Sequence, residues 1–139
     1  MPRSFRVEIA TVERLVLSNE VTSLILPAHD GYMGVWAGHA PIAVALQPGG
    51  IQVTEASGER SSFAVSGGFA RVSGYSVAVM GDAAERADEI DTDRAAAARD
   101  RALERLRSQE AGIDIERARA ALLRALTRLK VATHRRPRS

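Results

Sequence analysis

Hydrophobic and polar positions follow two different periods along this chain. Phe5, Val7 and Ile9 alternate with Arg6, Glu8 and Ala10, and Leu15, Leu17 and residues 21–26 continue in short apolar runs. A period of two predicts strands with one face buried. Turn signals then recur at Asp30-Gly31, Pro48-Gly49-Gly50, Ser57-Gly58, Gly67-Gly68 and Ser73-Gly74, which divides the stretch into many short strands. Ser57-Gly58 and Ser73-Gly74 read as tight hairpin turns, because Gly accepts the positive φ such turns use, with Val53 and Phe63 or Val72 and Val77 flanking them. The pattern predicts an antiparallel sandwich or barrel over about residues 4 to 82.

After Gly81 the period changes. No Gly or Pro occurs from Asp91 to Gln109, and Ala95, Ala98, Ala102 and Leu106 fall at spacings of three or four, one face of a helix. Asp91 is placed to cap it, with Asp93 in the first turn. Gly112 marks a break and Asp114 is placed to cap a second helix, in which Ile115, Ala118, Leu122, Ala125 and Leu129 step like a seam that Leu126 widens. The expected architecture is α+β: an N-terminal antiparallel β-sandwich over residues 1–86 and a C-terminal α-helical hairpin with a basic tail over residues 87–139. A seam rich in Ala buries little apolar surface, so the hairpin should be held weakly against a self-sufficient sandwich.

Composition and charge narrow the function classes. The 139 residues are 45% hydrophobic and 26% charged, which excludes disorder over the whole chain. No cysteine is present, so disulfides, thiolate metal sites and cysteine nucleophiles are excluded. The longest stretch without Asp, Glu, Lys or Arg, Gly31 to Thr54, is interrupted by Gly, Pro, Gln47 and His39 and is no membrane span. The first residues lack the apolar core of a signal peptide, so export by that route is not expected. The net charge of +2 hides a split, with five arginines against six acids up to Gly81 and fourteen basic residues against eleven acids after it. Both signs are dense in the helical part, which differs from a uniform cationic surface.

The stretch from Gly31 to Gly50, with Gly38-His39-Ala40-Pro41 at its centre, resembles the F-type ATP synthase epsilon subunit family. So do Phe63 to Phe69, with Ser66-Gly67-Gly68, and the run from Ala84 through Ile90-Asp91 to Val131. The pieces occur in the family's order over nearly the whole chain. The resemblance implies a sandwich followed by a helical hairpin, in agreement with the two periods. It also implies a non-catalytic subunit of the central stalk, on the cytoplasmic face of the cell membrane as a peripheral part of the complex and without insertion into it. Its partners would be the gamma subunit and the polar loops of the c-ring, with which it turns. In such proteins the hairpin lies folded against the sandwich or extends along gamma toward the alpha and beta subunits, where it inhibits ATP hydrolysis.

The same resemblance implies a nucleotide site and a contact surface. Ile90-Asp91-Thr92-Asp93-Arg94-Ala95 matches the family's ATP-binding string, Arg101, Arg124 and Arg128 fall where nucleotide-binding members carry basic residues, and Glu85 stands just upstream. No cofactor is required, and ATP would act as a regulatory ligand. Guanidiniums suit phosphate oxygens because they form bidentate charge-assisted bonds, and Arg124 and Arg128 share a helix face. The loop from Ala28 to His39, with Tyr32, Trp36 and His39, is the expected contact with the c-ring and gamma. Here Trp36-Ala37 stands where many members have an aromatic or Leu followed by Pro.

Other readings remain beside this one. Asp91 is a helix cap whatever else it does, and the arginines also read as a solvated helix face laced with Asp and Glu. His39 and His29 complete no metal spacing. Gly31, Gly34 and Gly38 lack the Gly-Lys-Ser/Thr of a phosphate loop, and Ser66 lacks a Gly-x-Ser-x-Gly setting. A basic helical-hairpin module for nucleic acid would bind with a steep salt dependence, but interspersed acids and 4% aromatics disfavour it. A small enzyme acting through Asp91, Arg94 and His39 would turn over ATP alone.

Overall fold

A computed structural model describes residues 3–108, 112 and 114–134. Nine strands come first: β1 (Phe5–Ala10), β2 (Leu15–Ala28), β3 (Gly31–Val35), β4 (Ile42–Leu46), β5 (Gly49–Glu55), β6 (Arg60–Val65), β7 (Gly68–Val72), β8 (Ser76–Gly81) and β9 (Ala84–Arg86). A single 3-10 turn, Ala87–Glu89, leads to α1 (Thr92–Ser108) and then α2 (Ile115–Ala132). The expected sandwich and hairpin are both present. The basic end of the chain, residues 135–139, lies outside the described residues.

The apolar runs from Leu15 to Leu26 form one long strand, and that strand organises the sandwich. Its first half pairs with β1, with Phe5 opposite Val21, and its second half pairs with β3, with Leu24 opposite Val35. Along its other edge it pairs with β5. The strand order runs β1-β8-β7-β4-β2-β5-β6-β9, with β3 on β2 and β1 also on β2. Pairings are antiparallel except for β1 with β8, which run parallel with Val7 opposite Val77 and Ile9 opposite Val79. The period-two signal cannot register this, since it reports which face is buried and not the direction of the neighbour.

Alternation then fills one interior. Phe5, Val7 and Ile9, Val77 and Val79, and Val44 and Leu46 meet Leu24, Leu26, Ile51, Val53, Phe63 and Val65. No helical residue belongs to this cluster. Gly67 and Gly68 both hold positive φ, and a Cβ on Gly68 would run into the Met80 carbonyl oxygen, so the turn from β6 into β7 needs glycine there. Of the two expected hairpin turns, Ser57-Gly58 has φ +91 at Gly58. The Ser73–Ser76 turn differs. Gly74 is not among the positive-φ glycines, and the turn closes instead through Ser73 N–H to the Ser76 carbonyl at 2.9 Å and Ser73 Oγ to the same oxygen at 3.0 Å.

Both helix caps fall where the sequence placed them. Asp91 Oδ1 accepts from Arg94 N at 3.0 Å, and Asp114 Oδ1 accepts from Arg117 N at 3.1 Å. The seam is Ala95 and Ala102 against Ala118 and Ala125, all buried, with Ala98, Leu106, Leu122 and Leu129 half-buried beside them. Two expected seam residues lie elsewhere. Ile115 is exposed in the first turn of α2, and Leu126 lines an open groove between α2 and the outer side of β5.

Candidate functional site

α2 docks on the sandwich through its C-terminal end. Val131 and Ala132 pack on Ala64 of β6, on Ala87 and on Ile90 in a second cluster separate from the main interior. Ala64 is therefore buried on the outer face of a strand whose other neighbours, Phe63 and Val65, point inward. Gly50 makes the approach possible: a Cβ there would lie 3.0 Å from Val131 Cγ2. An ion pair seals the contact, with Arg128 Nε donating to Glu85 Oε1 and Arg128 Nη2 donating to Glu85 Oε2 at 3.3 Å. Both side chains are about three-quarters buried, at 28% and 26% exposed, so this bidentate pair is screened less than a surface one.

Above this contact an open cleft of about 780 Å³ lies between α1, α2, β9 and the loop before β2. Six arginines line it: Arg14, Arg94, Arg101, Arg105, Arg124 and Arg128. Two carboxylates, Glu13 and Glu85, stand among them. Helical spacing explains the convergence, since Arg94, Arg101 and Arg105 follow one another by seven and four on α1 while Arg124 and Arg128 are four apart on α2. Ala98, Ala102, Ala121 and Ala125 form the wall between them, small enough to leave the guanidiniums room. Arg14 donates to Glu89 at 3.3 Å and Arg128 is held by Glu85. Arg94, Arg101, Arg105 and Arg124 make no ion pair among the described residues. Like charges gathered without partners destabilise the folded hairpin and attract an anion.

Of the seven residues named for nucleotide, Glu85, Arg94, Arg101, Arg124 and Arg128 line this cleft. Asp91 and Ala95 do not. Asp91 caps α1, and Ala95 is fully buried in the helical seam, so both shape the helix that carries Arg94. Glu85 faces a guanidinium, and its geometry is that of a strut positioning Arg128. The cleft also takes in Arg14 and Arg105, which the motif does not include. Arg105 is four residues from Arg101 and could have been found by spacing, whereas Arg14 arrives only through the fold.

The loop from Ala28 to His39 is largely strand, with β2 turning at His29-Asp30 into β3. Tyr32 is 61% and Trp36 59% exposed. The Trp36 ring lies over Gly34, where a Cβ would meet Cη2 at 2.6 Å. Tyr32 turns toward the groove beside α2, with its hydroxyl 3.4 Å from the Cβ position of Gly49. His39 is half-buried, with Nδ1 2.8 Å from the Ala40 carbonyl oxygen. Tyr32 and Trp36 thus offer aromatic surface to a neighbour, while no His, Asp and Glu group among the described residues could hold a metal. No helix among the described residues is long and apolar enough to cross a membrane.

Comparison with known proteins agrees along the whole fold. Residues 4–87 match the family described as ATP synthase, Delta/Epsilon chain, beta-sandwich domain, and residues 88–133 match its long alpha-helix domain. The ATP synthase epsilon chain of Desulforamulus reducens is 42% identical over 82% of this chain and 86% of its own. That of Herpetosiphon aurantiacus is 42% identical over 96% of this chain and 97% of its own. Among solved structures, a chain of the Euglena gracilis mitochondrial ATP synthase, described as OSCP/F1/c-ring in rotational state 1, superposes with a TM-score of 0.82 at 26% identity, covering 96% of this chain and 84% of that one. The chain belongs to the ATP synthase delta/epsilon chain family.

Proposed function

We propose that this chain is a non-catalytic rotor subunit of the ATP synthase central stalk. The sandwich joins the gamma subunit to the c-ring, and the hairpin regulates ATP hydrolysis at the alpha and beta subunits. Family membership supports the stalk role, and the exposed Tyr32 and Trp36 and the half-buried His39 are the residues assigned to the ring and gamma contact. The chain works by leaning on its neighbours, from a peripheral position on the cytoplasmic face of the membrane. Co-purification with gamma and the c-ring tests this part, and retention of the Trp36→Ala variant at wild-type level would remove Trp36 from the contact.

The arginine cleft carries the regulatory part. ATP bridging Arg94 and Arg101 of α1 with Arg124 and Arg128 of α2 would neutralise charges that otherwise repel in the folded hairpin. A ligand shifts such an equilibrium in proportion to its preference for one state, so ATP would favour the folded, non-inhibiting arrangement. At a hundredfold excess over Kd the folded state gains about 2.7 kcal/mol, read as a rise in melting temperature. Arg124→Ala should abolish the rise. No shift at millimolar ATP would remove the ATP regulation and leave the rotor role standing.

A further inference from the structure

We infer that the groove between α2 and the outer face of β5 holds a small amphipathic anion, an unbranched medium-chain carboxylate, with its chain against Leu123 and Leu126 and its carboxylate at Lys130. The groove encloses about 540 Å³, within the range of roughly 300–1,000 Å³ that takes one small ligand. It is separate from the arginine cleft. Leu123, Leu126 and Lys130 line the groove, whereas Arg124 and Arg128 line the cleft on the other side of α2.

Apolar surface collects here without a partner. Leu123 and Leu126 are about half exposed on the helix, and Ile25 of β2 and Tyr32 of β3 are open to water across from them. Any one of these is an ordinary surface side chain, but four on one concavity form the kind of patch that marks a binding surface. Gly50 adds no side chain to the sheet wall.

Polarity then changes along the helix. Leu123, Leu126, Lys130 and His134 step by three and four and so share one side of α2. At about 1.5 Å per residue, the two leucines stand about 6 and 10 Å before Lys130. Past Val131, which crosses Gly50, the helix reaches His134, which shares the neighbouring recess with Gln52 and Ser62. Lys130 is the only lysine of the chain, and neither Arg, Asp nor Glu lines the groove among the described residues. Its ammonium makes no ion pair among the described residues. One cation at the polar end of an apolar trough complements one anion at the end of an apolar chain, and a cationic amphiphile meets repulsion there. Gln52 and Ser62 supply neutral donors nearby. A ligand in this place touches both α2 and β5, so it stabilises the docked hairpin by mass action.

The test is calorimetric titration of the full chain with decanoate, dodecanoate and decyltrimethylammonium, each below its micelle-forming concentration. Dodecanoate should bind roughly four- to sixteenfold more tightly than decanoate, about two- to fourfold for each added methylene that loses water. Decyltrimethylammonium should bind at least about tenfold more weakly than decanoate. Leu126→Gln should weaken both carboxylates about tenfold, and Lys130→Gln should do the same and remove the preference over the ammonium. Both side chains are exposed, so neither substitution opens a cavity, and Leu103→Gln on α1, outside the groove, should change nothing. Decanoate should also slow acylation of the Lys130 amine by acetic anhydride. Protection of that amine by vesicles of dioleoyl phosphatidylglycerol and not by decanoate would assign the groove to membrane lipid and overturn the inference. Equal affinity for decanoate and decyltrimethylammonium, no gain with chain length, or no binding of either carboxylate would overturn it as well.

Discussion

The sandwich and the hairpin use apolar residues in opposite ways. Every strand of the sandwich except the short β9 turns Val, Ile, Leu or Phe inward, and Val7, Ile9, Leu24, Ile51 and Phe63 are completely shielded from water. The hairpin joins its helices through Ala95, Ala102, Ala118 and Ala125, while Leu123, Leu126 and Ile115 remain about half exposed. At about 0.8 kcal/mol for each buried methylene, the strands gain much more per residue than the helices do. The lesson is one of division of labour. The sandwich is built from large side chains that interlock, and the hairpin from small ones that let two helices approach closely while burying little.

The largest effect should come from the rigid side. Phe63→Ala removes a fully shielded ring and is expected to cost about 3–5 kcal/mol in chemical denaturation. Because Ala64 of the same strand carries the hairpin, both modules should loosen together. Val131→Asp should separate them. The aspartate will not stay charged against Ala64, Ala87 and Ile90, so α2 leaves the sheet and the loss cannot exceed the docking energy itself. Amide exchange in α1 and α2 should accelerate by at least about tenfold, with strand amides unchanged within about twofold. Equal acceleration in the strands would mean that the hairpin supports the sandwich, and the contrast would fail.

Much of this was legible in the sequence, because period and capping are local. The alternation at Phe5, Val7 and Ile9 and the cap at Asp114 need no knowledge of distant residues, and both stand in the structure. Residues whose role depends on a partner far along the chain were not legible. The parallel pairing of β1 with β8 joins segments seventy residues apart, and Arg14 reaches the cleft only when the loop before β2 is folded onto the helices. Gly50 looked like turn chemistry, whereas its lack of a side chain admits Val131. Of the seven residues the resemblance named, Arg94, Arg101, Arg124 and Arg128 line one cleft because helical spacing fixes which face an arginine takes, and Glu85 reaches it from β9. Asp91 and Ala95 carry the same motif but serve the helix beneath it.

An intermediate effect is expected where the two modules share a charge. Glu85→Gln leaves Arg128 in a partly buried position without a counter-charge, and should loosen the hairpin by about 1–2 kcal/mol. The same change frees a guanidinium for the cleft. Without ligand the hairpin amides should exchange faster than in the unaltered chain, and, on the proposed ATP site, saturating ATP should restore much of the difference. Equal weakening with and without ligand would assign Arg128 to docking alone.

The smallest effect probes the hairpin from its free end. Asp114 and Asp91 cap their helices alike, but Asp91 follows Ile90, which is buried in the docking cluster, whereas Asp114 precedes the exposed Ile115 and sits at the end away from that cluster. Removing either carboxylate costs about 1 kcal/mol of local stability. Asp114→Ala should therefore fray residues 115–121, seen as faster amide exchange there, while residues 125–132 keep their protection and the sandwich melts within about a degree of its former temperature. Asp91→Ala acts next to the anchor and should reach further, loosening α1 and the contact of Ile90 with Val131. If Asp114→Ala released the docked end as well, the two helices would form one cooperative unit. The hairpin would then lose protection as a whole and not by fraying from its free end.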